Sequence, residues 1–303
     1  ENSTYDNNSE IIKNDNNYNV IYEYTFTPKF SAGISAKGSF FYDDMSLISH
    51  SDISKPNNPI DSSLHTTNQV LTTNQTQNIN AFAKKLIGKR NDELSFDFDY
   101  TYFQERQDTR TQTDFIDGKY ITKNKSDVFA SFTPRKINIA SGKLDYIMKL
   151  SAQSSLSIGS KLSAIETNNN VRFINYENAS SNGLTDTSRS NIFNYKESNI
   201  ALYLNYWRSF NSGVEFQAGV RGESFSYKGV EKNQNIENQY LKLFPSFSLL
   251  IPQKDFVYQA SYSYRINRPT FSDLNPFRFY TNPFIYAEGN PLLMPSFSHN
   301  LEI

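Results

Sequence analysis

Residue types that usually carry catalysis or bind metal ions are sparse in this sequence. The three histidines, His50, His65 and His299, are far apart, and none lies in an HExxH or similar ligand spacing. We expect the first two in a loop and the third in a strand, all as surface histidines. The chain has no cysteine, which excludes a cysteine nucleophile, a thiolate metal site and a disulfide framework.

Two pairs of charged residues are the remaining candidates for chemistry. Asp97 and Asp99 share one face of a predicted strand, and so do Arg221 and Glu223. If the strands close into a barrel, both pairs would point into the lumen and form a charge network that faces water or a plug. The sequence has no GxSxG motif and no phosphate-binding glycine loop. We therefore predict no enzymatic activity, no metal site and no cofactor.

The composition excludes several classes of partner and of membrane segment. The chain has 30 Lys and Arg residues against 31 Asp and Glu residues, so it lacks the basic excess that binds nucleic acid. No stretch approaches the roughly 18 consecutive apolar residues that a spanning helix needs. Only 37% of residues are hydrophobic, yet 15% are aromatic, and such rings suit half-buried strands and membrane interfaces.

Strict alternation of apolar and polar residues is the main structural signal. It is clearest from Leu94 to Tyr102, where Leu, Phe and Tyr alternate with Ser, Asp and Thr, and it predicts a strand with one apolar and one wet face. The pattern predicts about eleven strands, each near or above the about 9 to 11 residues that cross a bilayer at a tilt. The other predicted strands are 19–26, 30–41, 69–86 (the weakest pattern), 136–150, 156–164, 199–206, 214–223, 240–251, 256–265 and one that begins near residue 296.

Short and long connections alternate along the chain. We predict tight turns at 28–29, 88–92, 152–154, 211–213 and 252–254, and long polar loops over 43–66, 107–134, 167–196, 229–238 and 267–295. A water-soluble β-sandwich or propeller would also alternate, but with shorter strands and no preferred side for its long loops. Strand length and one-sided loops therefore favour a transmembrane antiparallel β-barrel of the bacterial outer membrane.

The most specific motifs lie between Tyr262 and Pro295. A strand that carries Arg-x-x-Arg-Pro is followed by Leu-Asn-Pro-Phe and by Glu-Gly-Asn-Pro-x-Leu-x-Pro. Two upstream segments add to the pattern, AGVRGES at 218–224 and YLKLFPSFSLL at 240–250. Proline cannot donate to a central ladder, so it ends the strand, and we expect the Asn-Pro steps to fix the loop geometry. The motif positions are Gly219, Arg221, Glu223, Phe244, Pro245, Arg265, Arg268, Pro269, Asn275, Pro276, Phe277, Glu288, Gly289, Asn290 and Pro291.

These motifs resemble those of the outer-membrane β-barrel branch of TonB-dependent receptors found in Bacteroidetes. The resemblance covers about the last third of the chain, and Ser296 stands where such receptors usually have a glutamate. It implies a 22-stranded barrel whose N-terminal half is residues 1–303, with the plug domain and the remaining strands outside this chain. We expect both ends, Glu1 and Ile303, to be cuts, and Arg265 to point inward toward the plug.

The resemblance also implies a function, the energised uptake of a scarce ligand such as a siderophore, a glycan or a peptide. The implied partners are outer-membrane lipid, the receptor's own plug domain, the TonB complex acting through the plug, and in some cases a surface lipoprotein. Tyr280, Phe284 and Tyr286 in the last long loop are weak candidates for ligand contact, the alternative being loop packing or the upper aromatic girdle. The alternative function is an outer-membrane adhesin or a passive pore without a plug.

Overall fold

In the residues that the structure describes, eleven strands form one antiparallel sheet, and neighbouring strands follow the order of the sequence. The computed structural model describes residues 2–54, 60–117, 122–177, 182–231, 234–282 and 285–303. The predicted all-β antiparallel architecture of about eleven strands is confirmed. The strands of this sheet are β1 (Asn2–Thr27), β2 (Phe30–Ser54), β3 (Ser62–Ile87), β4 (Asp92–Asp117), β5 (Thr122–Ser151), β6 (Ser154–Tyr176), β7 (Leu184–Ser209), β8 (Glu215–Glu231), β9 (Gln234–Pro252), β10 (Val257–Asn267) and β13 (Ser296–Glu302).

The tight turns occur where the sequence predicts them, all at one end of the sheet. Between β3 and β4, Gly88 and Asn91 have φ of 68° and 53°, and between β7 and β8 Gly213 has φ of 80°. Glycine has no Cβ to clash in this left-handed region, and asparagine tolerates it. These turns are set by local residue chemistry, which explains why the sequence alone locates them.

The prediction of a long loop is wrong for four of the five segments. The strands continue through most of 43–66, 107–134, 167–196 and 229–238. His50 and His65, expected in a loop, lie opposite each other in β2 and β3. The ends of the strand pairs β2–β3, β4–β5, β6–β7 and β8–β9 that lie opposite the tight turns are here called the extended hairpins. Their residues are mostly polar and show no apolar period, although the backbone ladder continues through them. Buried hydroxyl and amide groups pair between neighbouring hairpins, as between Thr66 of β3 and Thr113 of β4 (3.0 Å) and between Thr111 and Asn68 (2.6 Å).

The two faces of the sheet differ in chemistry. On one face, here called the apolar face, alternate residues such as Phe96, Leu202 and Leu241 are exposed, the last two by 65% and 77%. The opposite face, here called the polar face, carries the intervening residues, where Asn80 bridges Asp97 and Asp99 with contacts of 3.2 and 3.1 Å. An exposed apolar surface of this extent marks a region of contact with a membrane or with another protein.

The edges of the sheet are β1 and β13. Within the described ranges, β1 is paired with β2 only and β13 with β10 only. Each edge therefore presents backbone N–H and C=O groups that no strand of the described chain takes up.

In the same ranges, no helix is both long and apolar enough to cross a membrane.

Candidate functional site

The connection between β10 and β13, residues 268–295, folds over the sheet and is here called the folded-in loop. It contains a one-turn helix and a small hairpin, α1 (Phe271–Leu274), β11 (Phe279–Asn282) and β12 (Ile285–Ala287). Thr270 caps the helix in a capping box, because Asp273 donates its N–H to the Thr270 side chain and accepts from the Thr270 N–H at 2.7 Å. The Thr270 hydroxyl also donates to the Asp273 carboxylate at 2.7 Å, and this side-chain bond, followed by the bond from the Thr270 N–H, lowers the pKa of Asp273.

Two side chains of the folded-in loop are buried against the sheet. Leu274 is 5% exposed and Phe277 is 3% exposed. The Phe277 ring meets the Phe193 ring edge to face, with 6.4 Å between centroids. Burial of one such side chain contributes about 1.5 to 3 kcal/mol, so the two side chains hold the loop firmly. The other members of this buried cluster come from β5, β6 and β7 and are Phe129, Val171, Phe173 and Tyr195.

A charged anchor ties the start of the folded-in loop to β8. Glu223 is 5% exposed, and its carboxylate accepts from Arg221 on the same strand and from Arg268 at the loop start. The Nε of Arg268 also donates to the Tyr240 hydroxyl at 2.8 Å, and its guanidinium lies 4.8 Å from the Phe225 ring centroid. Arg268 thus joins β8 and β9 and fixes where the chain leaves the sheet.

The two motif segments of the folded-in loop bind each other through their backbones. Gly289 donates its N–H to the carbonyl of Asn275 at 2.8 Å, and Asn290 donates to the carbonyl of Asp273 at 2.7 Å. A Cβ on Gly289 would lie 2.6 Å from the carbonyl oxygens of both Asn275 and Asp273, so only glycine allows this approach. The Asn275 side chain accepts from the Phe277 N–H at 3.2 Å, which turns the chain toward the buried cluster.

A polar cavity of about 610 Å³ lies between the folded-in loop and β7. Arg278 and Glu288 form an ion pair of 2.8 Å at its edge. Arg189, which also lines the cavity, pairs with Asp186 at 2.7 Å. Hydrogen bonds to Asp186, chiefly from the Ser188 hydroxyl and then from Arg189, hold the pKa of this carboxyl well below its usual range. The cavity can therefore offer paired charges and amides to a polar ligand.

Two of the three aromatic candidates for ligand contact, Tyr280 and Tyr286, lie in the small hairpin. Tyr286 is exposed, and the Arg278 guanidinium lies 4.4 Å from its ring centroid. The backbone of Tyr280 pairs with that of Tyr286, and Phe284 falls outside the described residues. Their role in ligand binding stays a prediction.

Some motif residues meet at the loop, whereas others lie in the sheet. Arg221, Glu223 and Arg268 meet at the charged anchor, and Arg265 instead donates from Nε to the Ser263 hydroxyl at 2.8 Å. Phe244 stacks within a ring cluster, 5.6 Å from Tyr264. The remaining positions are Gly219, where a Cβ would overlap the Asn205 amide, Pro245 within β9, Pro269 just after the anchor, and Pro276 and Pro291 at the polar cavity.

Two of the histidines have contacts with other residues of the sheet. His50 contacts the Asp52 carboxylate at 2.9 Å, and the His299 ring stacks 4.4 Å from the Tyr264 ring. In the part of the chain that the structure describes, no group of three or more His, Cys, Asp or Glu residues could hold a metal ion.

Sequence reasoning missed the residues that receive the folded-in loop. Phe129, Phe173 and Phe193 fall in segments that the sequence assigns to loops, yet each lies in a strand and belongs to the buried cluster that includes Leu274 and Phe277. A signal was present, since Val171 and Phe173, like Phe193 and Tyr195, are apolar residues two positions apart. The polar residues around them concealed it.

Comparison with known proteins identifies a family and a distant structural similarity. A family model described as "Outer membrane protein beta-barrel family" matches residues 85–303. No curated protein matches the chain. The crystal structure of the ferric citrate transporter FecA in its unliganded form resembles it with a TM-score of 0.37 and 10% sequence identity, over 82% of this chain and 44% of that one. The chain therefore spans less than half the length of that transporter.

Proposed function

Because this chain belongs to the outer membrane protein beta-barrel family, we propose that it forms part of the barrel of a TonB-dependent receptor of the Bacteroidetes type. The family sets its location, the outer membrane of a Gram-negative bacterium, with the apolar face of the sheet toward lipid. In the proposed receptor, a scarce ligand such as a siderophore, a glycan or a peptide is imported with energy from the TonB complex. The tight turns lie in the periplasm, and the extended hairpins and the folded-in loop lie outside.

The observation that carries the proposal is the folded-in loop itself. It is held over the polar face by the buried cluster around Phe277 and by the charged anchor at Glu223. The polar face of an outer-membrane barrel lines its lumen, so a loop fixed there narrows the outer mouth. A narrowed mouth suits a receptor that holds its ligand before transport, and the polar cavity beside Arg278 and Glu288 is the proposed place of contact.

The proposal also requires parts outside this chain. An unpaired strand edge in lipid costs several kcal/mol for each unsatisfied backbone group, so further strands are proposed to pair with β1 and β13 and close the barrel. A plug domain within the closed lumen would face Asp97, Asp99 and the charged anchor. No catalytic step is proposed for any of these residues.

Bilayer conductance of the native protein, purified from outer membranes, tests the proposal. A plugged receptor is expected to pass no steady current, and to bind the periplasmic domain of TonB in a pull-down experiment. A steady open-pore conductance without TonB binding would overturn the receptor assignment and favour a passive pore. A protein that neither conducts nor binds TonB would also contradict the proposal and favour an adhesin.

A further inference from the structure

A hollow opens on the lipid side of the sheet where the pairing of β5 with β6 is interrupted. Phe132 pairs with Arg172, and the next pair is Arg135 with Asn169, so Pro134 lies in a gap of the ladder. Proline has no N–H to donate to the neighbouring strand. The gap forms a cavity of about 340 Å³, here called the arginine hollow, which is lined by Arg106, Phe132, Pro134, Asn170 and Arg172.

The position of the arginine hollow places it at the level of lipid headgroups. Side chains of a strand alternate between faces, so Arg106 lies on the same side as Phe96 and Phe98, and Arg172 on the same side as Leu162. Arg106 follows Tyr102, the last ring of the apolar run in β4, by four residues. At about 3.3 Å per residue and a tilt near 40°, this is about 10 Å farther out than that ring. The alternating apolar run of β4 has ended at this level.

The lipid side around the arginine hollow is cationic. Arg172 is exposed, and its guanidinium lies 5.1 Å from the Phe132 ring centroid. Arg106 is fixed by Asp108, which engages its Nε and Nη2. The neighbouring strand segments 104–110, 130–136 and 168–174 carry four cations and one carboxylate on the lipid side. The cations are Arg106, Arg110, Lys136 and Arg172, and the carboxylate is Asp108. The excess positive charge attracts an anion.

We propose that the arginine hollow binds a phosphate group of the phosphorylated glycolipid that forms the outer leaflet of this membrane. Guanidinium groups bind phosphate through paired, charge-assisted hydrogen bonds. Basic pockets beside membrane-spanning segments hold lipid headgroups in the same way. The apolar face directly below the arginine hollow contacts the acyl chains of the same lipid. This site depends on the membrane location and is independent of any transport activity.

Lipid retention by the native protein tests this site. The protein is exchanged into detergent, incubated with deep-rough lipopolysaccharide or with the same lipid after enzymatic dephosphorylation, and examined by native mass spectrometry. We expect the wild type to retain the phosphorylated lipid. In the double variant Arg106→Ala with Arg172→Ala, retention should fall about fivefold for each arginine removed. The matched control is Lys85→Ala, which removes an exposed cation from the same face near the tight turns and is expected to retain lipid as the wild type does.

A second variant separates shape from charge. Pro134→Ala restores an N–H to β5 and keeps both arginines, so it is expected to close the ladder gap and to lower retention. Heat-modifiable gel mobility verifies that each variant is folded. Equal retention by the wild type and the double variant would overturn the proposal, and so would retention that dephosphorylation leaves unchanged. Bilayer conductance and TonB binding are separate measurements, so a failed receptor assignment would not affect this result.

Discussion

Replacement of Glu223 by glutamine is expected to release the folded-in loop from the sheet. The carboxylate of Glu223 is buried and accepts from both Arg221 and Arg268. Glutamine keeps the shape of the side chain but removes the negative charge, so two guanidinium groups would face a neutral amide. Arg268 would then lose the charged partner that ties the start of the loop to β8.

The size of the effect follows from the burial of the three side chains. Removal of one partner of a fully buried ion pair costs about 3 to 5 kcal/mol. The side chains of Arg221 and Arg268 are 32% and 30% exposed, so water solvates them in part, and we expect about 2 kcal/mol after this reduction. At about 1.4 kcal/mol per factor of ten, the loop should open about 30-fold more often.

Amide hydrogen exchange of the protein in lipid vesicles measures this opening. The N–H groups of Gly289 and Asn290 are hydrogen-bonded only while the two loop segments are together, so their exchange should be about 30-fold faster in Glu223→Gln, the factor estimated above. The matched control is Glu93→Gln. Glu93 pairs at 2.7 Å with Lys84, an exposed lysine near the tight turns, and the loss of this ion pair should change the exchange of the loop amides little. Unchanged exchange in Glu223→Gln, or equal acceleration in the control, would refute the anchoring role.

Three further changes test the folded-in loop and the tip of β7. Phe277→Ala should weaken loop docking by about 3 to 5 kcal/mol, because it empties a buried aromatic site, whereas Leu292→Ala, at an exposed position, should leave exchange of the loop amides unchanged. Gly289→Ala should also detach the loop segments, since the added Cβ would overlap backbone carbonyl oxygens, and protease cleavage within 268–295 should then appear. Asp186 has a lowered pKa, with the Ser188 hydroxyl as the first cause, so its stabilising effect is present above its ordinary pKa of about 3.9 and is lost only as the pH falls through the lowered value. Pepsin cleavage near the start of β7, normalised to pepsin activity, should therefore begin only well below pH 4, about the ordinary pKa of a free aspartate. The Asp186→Asn variant should be cleaved there at every acidic pH. Cleavage that starts at the same pH in both proteins would contradict the role of the carboxylate.

The candidate site was only partly predictable. The sequence singled out the motif residues of the loop, including Arg268, Asn275 and Gly289, through their resemblance to the motifs of a known family. It could not identify Phe129 or Phe193 as their receptors, because these rings stand in polar surroundings and lie far from the loop in the chain. The ligand-binding role of Tyr280, Phe284 and Tyr286 stays a prediction.

The sequence by itself determined the strand count, the tight turns and the two faces of the sheet. Each of these depends on residues next to one another, through side-chain alternation along a strand and through the backbone freedom of residues such as Gly88. Only the tertiary structure decided how far the strands extend, since ladder hydrogen bonds join backbone groups of distant segments whatever their side chains. It alone also decided that Arg268 meets Glu223 and that Phe277 meets Phe193, because burial and ion pairing act between surfaces that come together only after the sheet has formed.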